Sequence, residues 1–432
     1  MHVKKHLSFT SLRKSISRRF NEIVDHRSEK VKYSLHDCLM SALAMMFFQD
    51  PSLLAFQRRL QEQSNFNNLK SIFNVENIPC DTQLRDTLDE IAPEGIEVIY
   101  TDFFRNLQRG KHLESYQVLG DYYLFVIDGS QYFSSEKVCC PGCLFKTTSK
   151  GKTRYSHQIL QPVLIDPNQR QVIPLAPEQI KNEDGSEKQD CEMNASKRVL
   201  KKIRQEHPKL KIIIGGDGLY SKQPFIDQLK EHRMSYVLVA KPDDHKIMNE
   251  WLNELRTMGE TQILTFTDHT GAKHRYEWAL GLPLNGSPQS DSINYFEYTL
   301  IKDGEPTHHN SWVTDQEITE HNIVELVKIG RARWKIENEN FNTLKNQGYH
   351  LNHNFGHGKK NLSYNFFLLN VLAFFAHQIF ELTDHLYQKC RTKAGSRIEF
   401  FNRLRYAIQF ILFKNWEHLL NFIWRPPEIH AP

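Results

Sequence analysis

The chain has 432 residues, 40% hydrophobic and 25% charged, so it can bury a large core and is not an unstructured charged tail. Length predicts two to three domains, and a formal net charge of only +4 leaves no global positive field to announce a nucleic-acid partner. Seven scattered cysteines argue against a disulfide scaffold, and the opening MHVKKHLSFT lacks the apolar run of a signal peptide, so a reducing, cytoplasmic setting is expected.

Residues 1–115 read as a helical N-terminal region, either DNA-binding or a purely structural helical bundle. LHDCLMSALAMMFFQD and SLLAFQRRLQEQ carry helical spacing, and after Pro79 a new helix is predicted with Asp81 or Thr82 as N-cap. Lys4, Lys5, Arg13, Lys14, Arg18 and Arg19 form a local basic cluster, read either as a phosphate-binding stripe or as a solvated face.

From 116 to 242 the pattern changes. YYLFVIDGS (Tyr122–Ser130) is an apolar strand expected to end at an acid, and ILQPVLID and QVIPL flank the turn Asp166–Gln169. A helix over Cys191–Glu206 follows, then the strand KIIIGGDG (Lys211–Gly218), the helix PFIDQLKEH and the strand YVLVAKP. That order predicts an α/β fold with a ribonuclease H-like mixed sheet flanked by helices. Residues 243–314 read as a strand-rich insertion, with QILTFTD, RYEWALGL and INYFEYTLI as its strands. The core resumes over 315–358 with one long helix from Thr319 to Lys345, and 359–432 is a helical C-terminal region. NFFLLNVLAFFAHQIFEL (Asn365–Leu382) is interrupted by Asn370, His377 and Gln378, which predicts a buried core helix and no membrane partner.

Two acids close apolar strands, Asp128 after Ile127 and Asp217 after two glycines. An unpaired carboxylate inside a strand is costly, but at a strand's carboxyl end it reaches the crevice where α/β folds bind ligands. Gly215, Gly216 and Gly218 are expected to leave room for substrate beside Asp217. In RWKIENENFNTLK, the residues Arg333, Glu337, Phe341 and Lys345 recur at helical spacing and predict one stripe, with Glu337 between two cations. Taken alone, Glu337 is no more than a surface ion pair worth ~0.3–0.5 kcal/mol. Together, two aspartates and a glutamate make an oxygen cradle for two Mg2+ (or Mn2+) ions, with Arg333 and Lys345 placed to position a DNA strand.

At these residues the chain resembles the DDE transposases of bacterial insertion sequences, in the branch with a Tyr-Arg-Glu-Lys signature. DGSQYF at Asp128, GGDGLYSK at Asp217 and RARWKIENENFNTLK at Glu337 carry the likeness, which spans Tyr122 to Tyr349. Gly330 stands where the signature has tyrosine, and Lys345 comes one residue late, after Leu344. Glu339 is the alternative third acid. The resemblance implies cleavage at terminal inverted repeats, strand transfer into target DNA, and a homodimer in a synaptic complex. It also implies an aromatic side chain stacking on a flipped base, for which Trp334, Tyr132 and Phe133 are candidates. The alternatives are a nuclease of the same fold that only hydrolyses, a retired transposase that merely binds DNA, and, last, a glycosidase with paired carboxylates.

VCCPGCL sets Cys140 and Cys143 at the spacing of zinc ligands, and His157 with Cys191 would complete a structural Zn2+ site. GHGKK (Gly356–Lys360), with His350 and His353 nearby, is read as a DNA-facing loop.

Overall fold

The computed structural model describes residues 6–28, 31–60, 68–182 and 189–427. Serine caps start the first helices. Ser8 accepts the Ser11 N–H before α1 (Phe9–Glu22), and Ser34 accepts the Asp37 N–H before α2 (Leu35–Phe47). Phe9, Leu12, Ile16 and Phe20 recur every three or four residues and form the buried stripe of α1. After α3 (Leu53–Leu60) and a π turn at Leu69–Phe73 come α4 (Asp81–Asp89) and α5 (Glu94–Arg109). The cap of α4 is Cys80, one residue earlier than predicted, because the chain leaves extended geometry there and Asp81 already lies in the first turn.

The sheet begins with β1 (Gln117–Val118), β2 (Tyr122–Ser135), β3 (Leu144–Thr147), β4 (Thr153–Ile165), β5 (Ile173–Pro174) and β6 (Glu178–Ile180). α6 (Glu192–Glu206), β7 (Lys211–Gly216), α7 (Gln223–Glu231) and β8 (Ser235–Val239) follow as expected. β4 runs antiparallel to β2 on one side, while β7 pairs parallel to β2 and β8 parallel to β7 on the other.

The interval 243–314 holds more than the three expected strands. Helix α8 (Lys246–Met258) precedes β9 (Gln262–Thr267), β10 (Lys273–Pro283), β11 (Ser292–Lys302) and β12 (Glu305–Thr314). β12 pairs antiparallel with β8, so the insertion continues the central sheet. Its polar stretch EPTHHN hid β12 from periodicity, because the outer half of that strand is exposed. Arg256 of α8 is fastened to the buried carboxylates of Glu277 and Glu297, at 2.8 and 2.9 Å.

The single long helix expected over Thr319–Lys345 is broken. α9 (Ile323–Ala332) gives way to a π turn over Ile336–Phe341, and α10 (Asn342–Asn346) completes the segment. The C-terminal helices are α11 (Leu362–Thr383), α12 (His385–Ala394), α13 (Arg397–Phe410) and α14 (Trp416–Trp424). α11 is long and apolar enough to cross a membrane, yet 89% of its apolar window is buried inside the chain. Its polar residues explain why it suits a protein core. The Asn365 amide donates to the carbonyls of Leu88 and Ile91, the Asn370 amide donates to Tyr349, His377 meets the Tyr349 hydroxyl at 2.7 Å, and Gln378 accepts the Val172 N–H.

N- and C-terminal helices share one core. Phe9 stacks on Trp416 with ring centroids 5.0 Å apart, and the Tyr100 hydroxyl donates to the Leu368 carbonyl. This packing consumes part of the N-terminal basic cluster. Arg19 grips Asp102 with two hydrogen bonds, Arg18 pairs with Glu22, and Arg13 donates to the Ile72 carbonyl. Lys4 and Lys5 lie outside the described residues.

Asp89, at the end of α4, ties the two helical regions together. Its carboxylate accepts the backbone N–H groups of Lys359, Lys360, Asn361 and Leu362 at 2.8–3.0 Å, capping α11 from a distant part of the chain. Burial works to raise its pKa, but these four bonds outweigh it and hold the carboxyl below its usual 3.8. A folded value below the unfolded one means a stabilisation that is present at neutral pH and lost as pH falls through the lowered value. Asp89→Ala is expected to destabilise the fold by about 2 kcal/mol at pH 7, with the deficit closing in acid. Urea melts at pH 7 and pH 3 check this; an equal deficit at both would contradict the charged cap.

Candidate functional site

Register brings the first two acids together. The parallel ladder of β2 with β7 sets Val126 beside Gly215 and stops there. Two residues beyond that last pair stand Asp128, still on β2, and Asp217, one residue past the end of β7, and the charge of Asp217 acts on Asp128. β2 itself does not end at Asp128 as expected. It continues to Ser135 along β4, where Asp128 faces Gln161, while the ladder with β7 stops at Val126. One oxygen of each aspartate takes a local backbone N–H, Gly129 for Asp128 and Leu219 for Asp217.

The neighbourhood of Asp128 is strongly acidic. Burial is the main force raising its pKa, the Arg333 guanidinium opposes it, and the charges of Glu192, Asp217 and Glu337 add to the rise, which reaches about 6. Arg333 lies 3.8 Å from Asp128, a looser contact than a hydrogen bond. Four carboxylates from β2, α6, the β7 end and the π turn therefore share one electrostatic environment.

Glu192 is the member the sequence reading missed. It is the first residue of α6, and its carboxylate accepts the Tyr220 hydroxyl at 2.5 Å. Burial raises its pKa, the Tyr220 bond opposes the rise, and the charge of Asp217 adds to it. A Cβ on Gly129 would collide with this carboxylate, so the glycine beside Asp128 is the sequence signal that another group approaches closely. The glycines before Asp217 act differently from the expectation. A Cβ at Gly215 would press on Val126 at 3.0 Å and one at Gly216 on Tyr220 at 2.8 Å, so both make room for the core and not for substrate.

The π turn sorts the two glutamates. Glu337 is exposed and within the field of Asp128, whereas Glu339 turns toward Arg170 at 4.0 Å. The expected Arg333–Glu337–Phe341–Lys345 stripe is not one solvent face, since Phe341 is buried and Lys345 lies over its ring at 5.4 Å. Lys335 is a structural tie, donating to the carbonyls of Asp166 and Gln169. Gly330 is accounted for by packing, since any Cβ there would lie 2.5 Å from the Trp312 ring. Trp334 is 53% exposed beneath Arg333, whose guanidinium sits 4.9 Å from its ring centre. Tyr132 and Phe133 are not free to stack on a base, because they pack against His157, with Phe133 also against His357.

A second cluster lies on β4 and its neighbours. Cys140, Cys143, His157 and His357 bring four potential ligand atoms within 4.8 Å of one another, so the group could hold a metal ion. Cys191 is not part of it. That residue is exposed at the start of α6, and His357 of the GHG loop takes the expected fourth place. Glycines on both sides of His357 let the loop descend onto β4, a backbone signal that the DNA-facing reading overlooked.

No protein-family model matches the chain, and no curated protein matches its sequence.

Because Asp128 has a folded pKa of about 6 against an ordinary 3.8, the folded state binds its proton more tightly than the unfolded state. Stability without divalent cations is therefore expected to fall as pH rises from about 4 to about 6 and to stay lowered above that. Asp128→Asn removes this cost and is expected to stabilise the cation-free protein by about 1–3 kcal/mol at pH 7 and by little at pH 4. Denaturation in chelator at the two pH values tests it; a variant less stable than wild type at pH 7 would mean that the acidic cluster is not repulsive.

Proposed function

We propose that the chain is a DDE-type DNA transposase with a ribonuclease H-like core, cutting at the ends of its element and joining them to target DNA. The observation that supports this reading is the acidic field around Asp128, to which Glu192, Asp217 and Glu337 contribute from the neighbouring α6, the end of β7 and the π turn. The strand order supports it too, with β4 antiparallel on one side of β2 and β7 then β8 parallel on the other.

The donor set suits hard divalent cations. All its ligand atoms are oxygens, and burial together with the neighbouring carboxylates raises the proton affinity of Asp128, a tension that a cation relieves. Asp128, Asp217 and Glu337 would hold Mg2+ or Mn2+, with Glu192 behind them. When bound, two such ions activate the attacking oxygen and stabilise the leaving one in phosphodiester displacement. The chain's own groups orient the DNA. Arg333 faces the acids from one side, exposed Trp334 offers a stacking surface for an unpaired base, and Lys345 offers a phosphate contact. A π turn takes up about one residue more than an α turn, the same one residue by which Lys345 lags behind the expected spacing. Homodimeric synapsis and the terminal inverted repeats as ligand belong to the same proposal.

A nuclease that only hydrolyses is the second reading. It is favoured by the ties of Arg13 to the Ile72 carbonyl and of Arg19 to Asp102, which remove cations from the region expected to recognise element ends. Incubation of the protein with DNA carrying the element's ends and Mg2+ separates the two, since only a transposase yields joined products. Asp128→Ala, Asp217→Ala and Glu337→Ala are each expected to lower cleavage by more than about 100-fold with DNA binding retained, beyond the ~10–100-fold typical of residues behind metal ligands. Glu339→Ala is expected to stay within about threefold of wild type, given its orientation toward Arg170. Full activity of the Asp217→Ala protein would sink the mechanism.

A further inference from the structure

We propose that Cys140, Cys143, His157 and His357 bind one structural Zn2+ ion, which clamps the loop entering α11 onto the sheet that carries Asp128. The site is separate from the carboxylates and does not rest on the transposase reading.

Geometry carries the assignment. In a tetrahedral zinc site with Zn–S near 2.3 Å and Zn–N near 2.0–2.1 Å, neighbouring sulfurs stand about 3.7–3.8 Å apart and sulfur–nitrogen edges measure about 3.5–3.6 Å. Here the two sulfurs are 3.7 Å apart, and His157 Nε2 lies 3.5 and 3.6 Å from Cys140 Sγ and Cys143 Sγ. His357 Nε2 lies 3.6 Å from Cys143 Sγ. A hydrogen-bond network joins donors to acceptors in pairs and has no reason to gather four such atoms within 4.8 Å of one another, but a shared ion does.

Chemistry and surroundings agree with the distances. Two soft thiolates with two imidazoles select zinc over magnesium or calcium. Both imidazoles turn Nε2 toward the sulfurs, while neither Nδ1 has a hydrogen-bond partner among the described residues. Phe133 packs 4.4 Å from the His357 ring and Tyr132 stacks on His157, so the site is roofed by aromatic rings. A closed set of four protein ligands leaves no open position, which marks a structural and not a catalytic ion.

The ligands come from three places. Cys140 and Cys143 lie in the connection from β2 to β3, His157 on β4 opposite Phe133, and His357 in the loop between α10 and α11. Zinc here joins positions 214 residues apart in the chain. Its effect is to pin the segment running from Glu337 into α11 against the hairpin that continues from Asp128.

Elemental analysis of the full chain, purified without a histidine tag, is expected to give one zinc per chain. Replacement by Co2+ is expected to produce the intense visible absorption of tetrahedral cobalt thiolate, a readout independent of any DNA activity. Cys143→Ser and His357→Ala are expected to lower bound zinc at least about tenfold, whereas Cys191→Ser keeps it. If those variants fail to fold, the cobalt spectrum of the wild-type protein decides. A wild-type chain with no zinc and no cobalt spectrum overturns the proposal, as does a native Cys140–Cys143 disulfide or loss of zinc in Cys191→Ser.

Discussion

Parallel pairing of β2 with β7 is the constraint on which the candidate site depends. A slip of one residue in that ladder would shift the end of β7, and Asp217 just past it, by one position relative to Asp128. The register is held by core residues alone. Leu124, Phe125, Val126 and Ile127 on β2 and Ile212, Ile213 and Ile214 on β7 are all buried, and Gly215 and Gly216 are small because Val126 and Tyr220 occupy the space beside them. Hydrophobic packing thus does the positioning, and the acids stand just beyond it. A substitution at Gly216 would disturb the site without touching a carboxylate.

Electrostatics runs against packing at this point. Burial and three neighbouring acids make the Asp128 carboxylate harder to ionise, and among the described residues Arg333 is the cation whose field opposes them there. Like charges gathered in a half-buried crevice are a cost with no structural return. Glu192 shows the same tension, and there the fold adds a tyrosine hydroxyl and a glycine to admit it. Such an arrangement makes physical sense where a cation completes it, which is the root of the functional proposal.

Much of this was legible in the chain because buried strands leave a continuous apolar trace. YYLFVID and KIIIGGD stand out on that ground, and so does the helix α11, whose interrupting polar residues each find a backbone or hydroxyl partner. What periodicity does not encode was lost. A π turn leaves no mark in the hydrophobic pattern, so the segment around Glu337 looked like one straight helix. β12 is half exposed and polar, so the strand that joins the insertion to β8 was invisible. Partners distant in sequence were harder still: Glu192 reaches Gly129, and His357 reaches Cys143, through tertiary folding that no local spacing reports.

Two anchors converge on the chain between α10 and α11. At its far end, Asp89 captures four backbone N–H groups, and Gly358 is required there because its φ of +68° and the adjacent Asp89 carboxylate leave no place for a side chain. One residue earlier, His357 descends to the cysteines beside β4. The same few residues therefore answer to the helical body on one side and to the sheet on the other. Because the π turn with Glu337 packs against β2 and leads through α10 into this loop, its position depends on both anchors. The third acid is thus placed by a tether as well as by its own turn, whereas Asp128 and Asp217 are placed by a ladder. Loosening either anchor should therefore displace Glu337 while leaving the ladder of β2 with β7 intact.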